Sequence, residues 1–383
     1  MAESKVNKRN TIQYEMVPYK IALCQDWGLG TQIVQDYYDA MRLGFEEAAA
    51  SKLIDRPVNL VIREVEGTPT ARIFKVIQAW RALAQQELPM AIVGPHRSDA
   101  AQALREEISA SSAPTISHCG TLDFGGPFNI SLGNGTFADE GPILADFHRR
   151  HGHAVGVVRE LDLAGSETSE AFRAAAHELN VKVISDQTID SCDSIEAVTE
   201  KVRLLRAAGA TAVQYLGGGG NARTVVTAVN RIAADGQWSV TKVLNIAFVL
   251  RNPGFGAAGI PTAELEGWIG LDQVHERNKI FSALLDRFEK KYGRRPFHCY
   301  TALGWDTANV LAIATARSKP HWREGFKGGL EKVRWLPSAV GGPASFISIG
   351  PFDHRGYKGN FITLREIRGG ADRLVGTPTL LTE

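Results

Sequence analysis

Two short runs in the first third of the chain combine residue types that bind small polar groups. Residues 94–98 read Gly-Pro-His-Arg-Ser and residues 117–121 read Ser-His-Cys-Gly-Thr. Each follows a β-branched apolar run, and the first leads into a helical pattern. Unpaired backbone N–H groups and the helix dipole at such a start favour a carboxylate or another polar acceptor. Ser98 suits two roles there, N-cap or ligand-facing hydroxyl. His96 is a candidate contact, and His118 is either a contact or a surface residue. Trp27, in the first Gly-containing turn, is either an apolar wall or an ordinary half-buried tryptophan.

Three other patterns invite chemistry and resist it. Residues 217–222 (GGGGNA) satisfy the GxGxxA dinucleotide fingerprint between a strand and a helix. That fingerprint normally opens the first βαβ unit, whereas this copy lies in the third unit of its set and Asp235 falls at a helix end. Glycines there also let backbone approach a ligand closely. His148, His151 and His153 suggest a metal, but Arg149 and Arg150 beside them would repel a divalent ion, so a solvated helix end is expected. Asp26, Asp162 and Asp306 stand near loop ends without a paired nucleophile. No Walker A, GxSxG or HExxH motif occurs. The expectation is a protein that is not an enzyme and holds neither cofactor nor metal.

The elements that must position these loops alternate. Strand-like runs at 19–24, 58–63, 90–93 and 115–117 are separated by helical patterns, and a second set follows at 154–158, 181–185, 210–216 and 243–248. Helices at 166–179, 194–207 and 222–234 lie between the strands of the second set. Such spacing implies βαβ crossovers and mainly parallel sheets, here in two sets on either side of a loop-rich stretch at 120–135. Strong helices at 278–292 and 300–316 and a strand-like 359–364 complete the pattern. The expected fold is α/β, with two doubly wound parallel-sheet lobes.

The 383 residues carry 43 Lys and Arg against 42 Asp and Glu, so no single-sign field exists to grip nucleic acid. No apolar run approaches the length of a membrane helix. The four cysteines are far apart and read as free thiols. Residues 1–17 are polar, with no apolar leader segment. The expected location is cytoplasmic for the chain as it stands, and periplasmic or cell-surface if a leader precedes it.

Taken together and in order, YKIALCQDWGLG, AIVGPHRSDAA with APTISHCGT, GHAVGVVRELDLAGS, FSALLDRFEKKYGRRPFHCYTALGWDTANVLAIA and GPASFISIGPFDHRGYKGN resemble the type I periplasmic-binding-protein fold, in its leucine-type and amide-type solute-binding branch. The resemblance implies a two-lobe clamp with a three-stranded hinge, residues 18–123 plus about 250–335 in one lobe and about 124–249 plus about 336–383 in the other, with 1–17 as an extension. It implies a ligand site built from Trp27, His96, Ser98, His118, Cys119, Thr121, Asp162, Gly218, Gly219 and Phe248. Ser98, Cys119 and Thr121 fall on the family's carboxylate-holding positions. Where relatives that bind leucine-like ligands place an acidic residue and a tyrosine on the ammonium, this chain has Ala247 or Phe248 and Gly218 or Gly219. An unpaired buried ammonium costs several kcal/mol, so a neutral amide, an organic acid or an aromatic acid is expected in place of an ordinary α-amino acid. The implied role is the binding component of an ABC uptake system beside a membrane permease. The rivals are a cytosolic amide-type sensor controlling a regulatory protein and, from another class, a nucleotide-dependent oxidoreductase.

Overall fold

The computed structural model describes residues 17–28, 30–65, 72–133, 136–245 and 260–376. The first part alternates β1 (Tyr19–Gln25), α1 (Thr31–Ala50), β2 (Val58–Glu64), α2 (Ile73–Ala82), β3 (Ala91–Val93), α3 (Ser98–Ser111), β4 (Thr115–Ser117) and β5 (Asn129–Ser131). These strands form one parallel sheet in the order β2-β1-β3-β4-β5. The second part runs α4 (Phe137–Arg150), β6 (Ala154–Glu160), α5 (Leu163–Glu178), β7 (Lys182–Ile189), α6 (Ile195–Ala207), β8 (Ala212–Leu216), α7 (Ala222–Ala233), β9 (Thr241–Leu244) and β10 (Trp268–Asp272). It continues with α8 (Lys279–Tyr292), α9 (Cys299–Arg317), α10 (Arg323–Leu330), β11 (Leu336–Pro337), β12 (Phe346–Ile347), β13 (Tyr357–Lys358), β14 (Thr363–Arg368) and β15 (Ala371–Gly376). The second sheet has the order β15-β14-β10-β9-β8-β6-β7, parallel from β10 to β7 and antiparallel at the β14–β15 edge.

The chain passes between the two sheets three times, after β5, after β10 and after β13. Sequence and structure therefore differ on where each lobe is cut. β5 pairs in the first sheet although it lies beyond 123, and β10 pairs in the second sheet although it lies within the 250–335 span. Residues 336–358 lean on the first sheet, where the Ser131 N–H donates to the His354 carbonyl and the Gly356 N–H to the Ser131 carbonyl. Short crossing segments carry no periodicity, so only their pairing reveals the cut.

The crossings are tied to one another. The Thr363 hydroxyl donates to the Asp272 and Val274 carbonyls at 3.1 and 3.3 Å. The Asn278 amide donates to the carbonyls of Ser338, Ala339 and Gly341. Arg365 is fully buried and pairs with Asp272 at 2.7 Å, Glu276 at 2.8 Å and Asp372 at 3.0 Å. Asp306 is buried in α9, where it accepts the N–H groups of Ala339 and Val340 and the hydroxyls of Ser338 and Tyr357. That donor set makes it a structural carboxylate.

The first lobe borrows its last layer from the C-terminal part. Helix α9 is buried on nearly every side and packs on α1, whose inward face is Tyr37, Met41 and Phe45. The close approach needs glycine, because a Cβ on Gly304 would stand 2.4 Å from the Tyr37 carbonyl oxygen. Gly304→Ala must push α1 and α9 apart. Because the clash is with backbone, the overpacking cost falls toward the upper end of about 1–3 kcal/mol, and after a helix-propensity gain of about 1 kcal/mol a net loss of about 1–2 kcal/mol is expected. A urea melt of the variant checks this, and unchanged stability would contradict the close packing.

Candidate functional site

Because β1, β3 and β4 end at one edge of the first sheet, residues 26–28, 94–98 and 117–121 meet there. Trp27 and His96 stack with ring centroids 4.1 Å apart, and His96 and His118 stack at 4.7 Å. Tyr37 and Tyr300 meet Trp27 edge-on at 5.0 and 4.9 Å. The three rings singled out from sequence thus form one aromatic wall. Both imidazoles are neutral, since burial holds His96 well below the ordinary histidine range and takes His118 down to about 4. His118 Nδ1–H donates to the Leu132 carbonyl at 2.9 Å, which leaves Nε2 to accept from the Tyr37 hydroxyl at 3.0 Å. His96 Nδ1 accepts the His118 N–H at 3.3 Å, so the proton of the neutral ring sits on Nε2.

Asp26 corrects one expectation. The N–H groups of His96 and Arg97, expected to be open to a ligand carboxylate, donate to Asp26 at 2.7 and 3.1 Å. Burial pushes this carboxyl up to about 6 against those two hydrogen bonds. Ser98 is the first helical residue, with Arg97 at the N-cap, and its Oγ accepts the Gly120 N–H at 3.1 Å. The Cys119 side chain turns away into the apolar cluster between the sheet and α2 and α3, where burial pushes the thiol up to about 12. Only its backbone is left to face a ligand. The Thr121 hydroxyl donates to Glu167 on α5 at 2.6 Å, a contact from one lobe to the other.

The facing edge of the second sheet is acidic and glycine-rich. Asp162 caps α5 by accepting the Gly165 N–H at 2.6 Å and uses its other oxygen for the Gly218 N–H at 2.9 Å. Glu160 accepts the N–H groups of Gly219, at 3.2 Å, and Asn221. Burial first, then repulsion from Asp162, pushes Glu160 up to about 7. Asn245 accepts the Gly217 N–H and donates to Glu140, both at 3.1 Å. Burial pushes Glu140 up to about 8. The N–H groups of Gly218, Gly219 and Asn221 thus go to this chain's own carboxyl groups and that of Gly217 to Asn245, so a pyrophosphate there would find those donors taken and two acidic side chains beside it, which removes the physical basis of the dinucleotide reading. Gly218 and Gly219 reach the site with their N–H groups engaged. Phe248 and Ala247 lie outside the described residues.

The histidine triplet also departs from expectation. His148 is fully buried rather than solvated. Thr241 donates to His153 at 3.2 Å, His153 to His148 at 2.9 Å and His148 to Gln214 at 3.0 Å. This is a neutral structural chain, and burial takes His148 down to about 3. No cluster of His, Cys, Asp or Glu suited to a metal exists among the described residues, and no helix there is long and apolar enough to cross a membrane.

Two doubly wound sheets with their carboxyl edges turned to each other, tied by three crossings, are matched by a known family. The model of the family described as periplasmic binding protein matches residues 20–364. The chain belongs to that family. Solved structures share its fold. The leucine-binding protein LivK of Thermotoga maritima is 18% identical, with a TM-score of 0.75 over 94% of this chain and 99% of that one. LivJ of Streptococcus pneumoniae, solved with isoleucine, is 17% identical, with a TM-score of 0.74 over 94% of this chain and 100% of its own. A substrate-binding protein of Desulfitobacterium hafniense, solved with Leu, is 16% identical, with a TM-score of 0.73 over 94% and 100%. No protein of curated function matches the chain in sequence.

Within this family frame, sequence reasoning missed the residues that shape the cleft from behind. Asn245 holds the Gly217 N–H and is itself held by Glu140, 105 residues earlier in sequence. Gln25 opens the 25–28 strand end that the sequence places at the cleft, but its side chain was not among the expected site residues. A buried amide or carboxylate in an apolar stretch was the available signal.

Proposed function

We propose that this protein is the binding component of an ABC-type uptake system, a clamp that closes on a small organic solute and presents the closed form to a membrane permease. The observation that carries the reading is the aromatic wall of Trp27, His96 and His118 at the carboxyl edge of the first sheet, opposite Asp162 and the glycine turn of the second. Ligands of open parallel sheets bind beyond such edges, and family membership supports the clamp. The ligand is an amide, an organic acid or an aromatic acid rather than a standard α-amino acid. The first-lobe wall is neutral, and the second-lobe carboxylates already accept backbone N–H groups. Trp27, His96, Ser98, His118 and Thr121 contribute side chains to the site, Cys119, Gly218 and Gly219 contribute backbone, and Asp162 sets the turn. Two of the solved relatives hold leucine or isoleucine, which makes an aliphatic amino acid the ligand to test against.

Binding would order loops of both lobes and shift an open–closed equilibrium. A thermal-shift screen of amides, organic acids, aromatic acids and amino acids tests the ligand class. A response from one of the first three groups is expected, with a decrease in radius of gyration by small-angle scattering. Trp27→Ala should weaken the responding ligand by about 30-fold or more, the loss of a buried aromatic anchor. A response confined to leucine-like amino acids would overturn the proposed class.

A further inference from the structure

Two side chains at the first-lobe edge are buried with polar atoms that have no hydrogen-bond partner among the described residues. Both Oε1 and Nε2 of Gln25 are in this state, and so is Nε2 of His96. Gln25 is 3% exposed and His96 5% exposed. Native structures leave few buried polar groups unpaired, and each such group requires an explanation.

Their placement supplies one. Along β1, Ile21 and Leu23 face the core shared with α1 and α9, whereas Ala22 and Cys24 face the other side. The two-residue period puts Gln25 on the α1 side. Trp27 packs against that same core, and Tyr37 of α1 lies edge-on to both Trp27 and His96, the latter at 6.3 Å. The unpaired amide and the unpaired imidazole N–H therefore lie on the same side of the first sheet and at the same carboxyl edge, the one that carries Trp27 and His118.

The corner is neutral. Both oxygens of Asp26 accept backbone N–H groups. The Arg97 guanidinium pairs with Asp99 at 2.5 Å, and neither histidine is charged. A carboxylate would lack a counter-charge and could give nothing to Gln25 Oε1. An ammonium would find no acceptor but that one oxygen. A carboxamide or a urea fits the set: its carbonyl accepts from His96 Nε2–H and Gln25 Nε2–H, and its N–H donates to Gln25 Oε1.

We infer that Gln25 and His96 form a recognition pair for a neutral carboxamide or urea group on the ligand. This rests on the clamp reading proposed above and narrows its ligand class. It also assigns a trade of stability for binding. Gln25 is costly to bury in the free protein and is satisfied only by the ligand.

The experiment is isothermal titration calorimetry on the full chain with acetamide, benzamide and urea, each run beside acetate, benzoate and L-leucine. At least one amide or urea is expected to bind at least tenfold more tightly than the acids. Gln25→Leu should then weaken that binding by tenfold or more, and His96→Phe should do likewise. In the absence of ligand, Gln25→Leu should melt about 2–4 °C higher than the parent, because an unpaired amide is replaced by an apolar group of similar size. That rise also shows that the variant folds. If an acid or leucine binds instead, unaffected by Gln25→Leu, the amide inference falls while the clamp stands. If an amide binds but is indifferent to Gln25→Leu, the corner holds an ordered water only and the inference falls. If no compound binds or compacts the protein in small-angle scattering, the clamp reading falls with it.

Discussion

Arg365→Met is expected to lower the stability of the folded protein by about 3–5 kcal/mol, the usual cost of breaking a buried ion pair from one side. Arg365 has no exposed side-chain surface and Asp272 only 1%. Removing the guanidinium takes the cation from Asp272 Oδ2 where water cannot reach it, while Oδ1 still accepts the Gln273 N–H at 2.7 Å. Glu276 and Asp372 are more exposed, at 50% and 17%, and can be hydrated in its absence. A urea melt measures the loss. The double variant Arg365→Met, Asp272→Leu should recover most of it, since two apolar groups leave no buried charge behind. A single-variant loss below about 1 kcal/mol would mean that the charge is not isolated by the hinge. The effect reaches function as well, because β10, β14 and β15 hold the second lobe together where the chain crosses between lobes.

Glu140→Gln should stabilise the protein at alkaline pH and leave it unchanged in acid. In the folded protein this carboxyl is held up to about 8 by burial, against an ordinary value of 4.5. Its contribution is fully present below pH 4.5, where folded and unfolded chains are both protonated. It is lost as pH rises towards 8, because the unfolded chain ionises and the folded one resists. At about 1.4 kcal/mol per pH unit the loss approaches about 5 kcal/mol as an upper bound. Glutamine keeps the hydrogen bond from Asn245 and cannot ionise, so the two proteins should diverge steadily between pH 5 and 8. Parallel stability curves over that range would refute the buried-acid assignment. His118 and His148, taken down to about 4 and about 3, act with the opposite sign. Their contribution is whole above pH 6.5 and is lost as pH falls, so the parent should be most stable in mildly acidic solution.

The architecture could be read from sequence wherever local periodicity carried it. The β1, β4 and β8 runs and helices α6, α7, α8 and α9 lie within two residues of expectation at most ends, because each buries a continuous face. What escaped were pieces too short to show a period. β5, β11, β12 and β13 span two or three residues each, and only their pairing across the irregular loops between them defines them. The site divides in the same way. Trp27, His96 and His118 were found because loops after strands converge on one edge. Their tautomers, the use of Asp26 for the N–H groups ahead of α3, and the turning of Cys119 into the core depend on contacts that no spacing encodes. The expectation for His148 rested on Arg149 and Arg150 beside it, but successive helix residues point about 100° apart, so His148 faces the core while its neighbours face water.

The packing of α9 on α1 has a consequence for how the chain is made. Residues 137–245 of the second lobe leave the ribosome as one block and can begin to associate at once. Helix α1 must wait for residues 299–317, about 250 positions later, which at typical elongation rates is a delay of roughly tens of seconds. During that time the face bearing Tyr37, Met41 and Phe45 has no permanent cover. The last-made quarter of the molecule therefore decides whether the first-made quarter folds or is captured by something else, and nascent chains stopped short of α9 should depend heavily on chaperones.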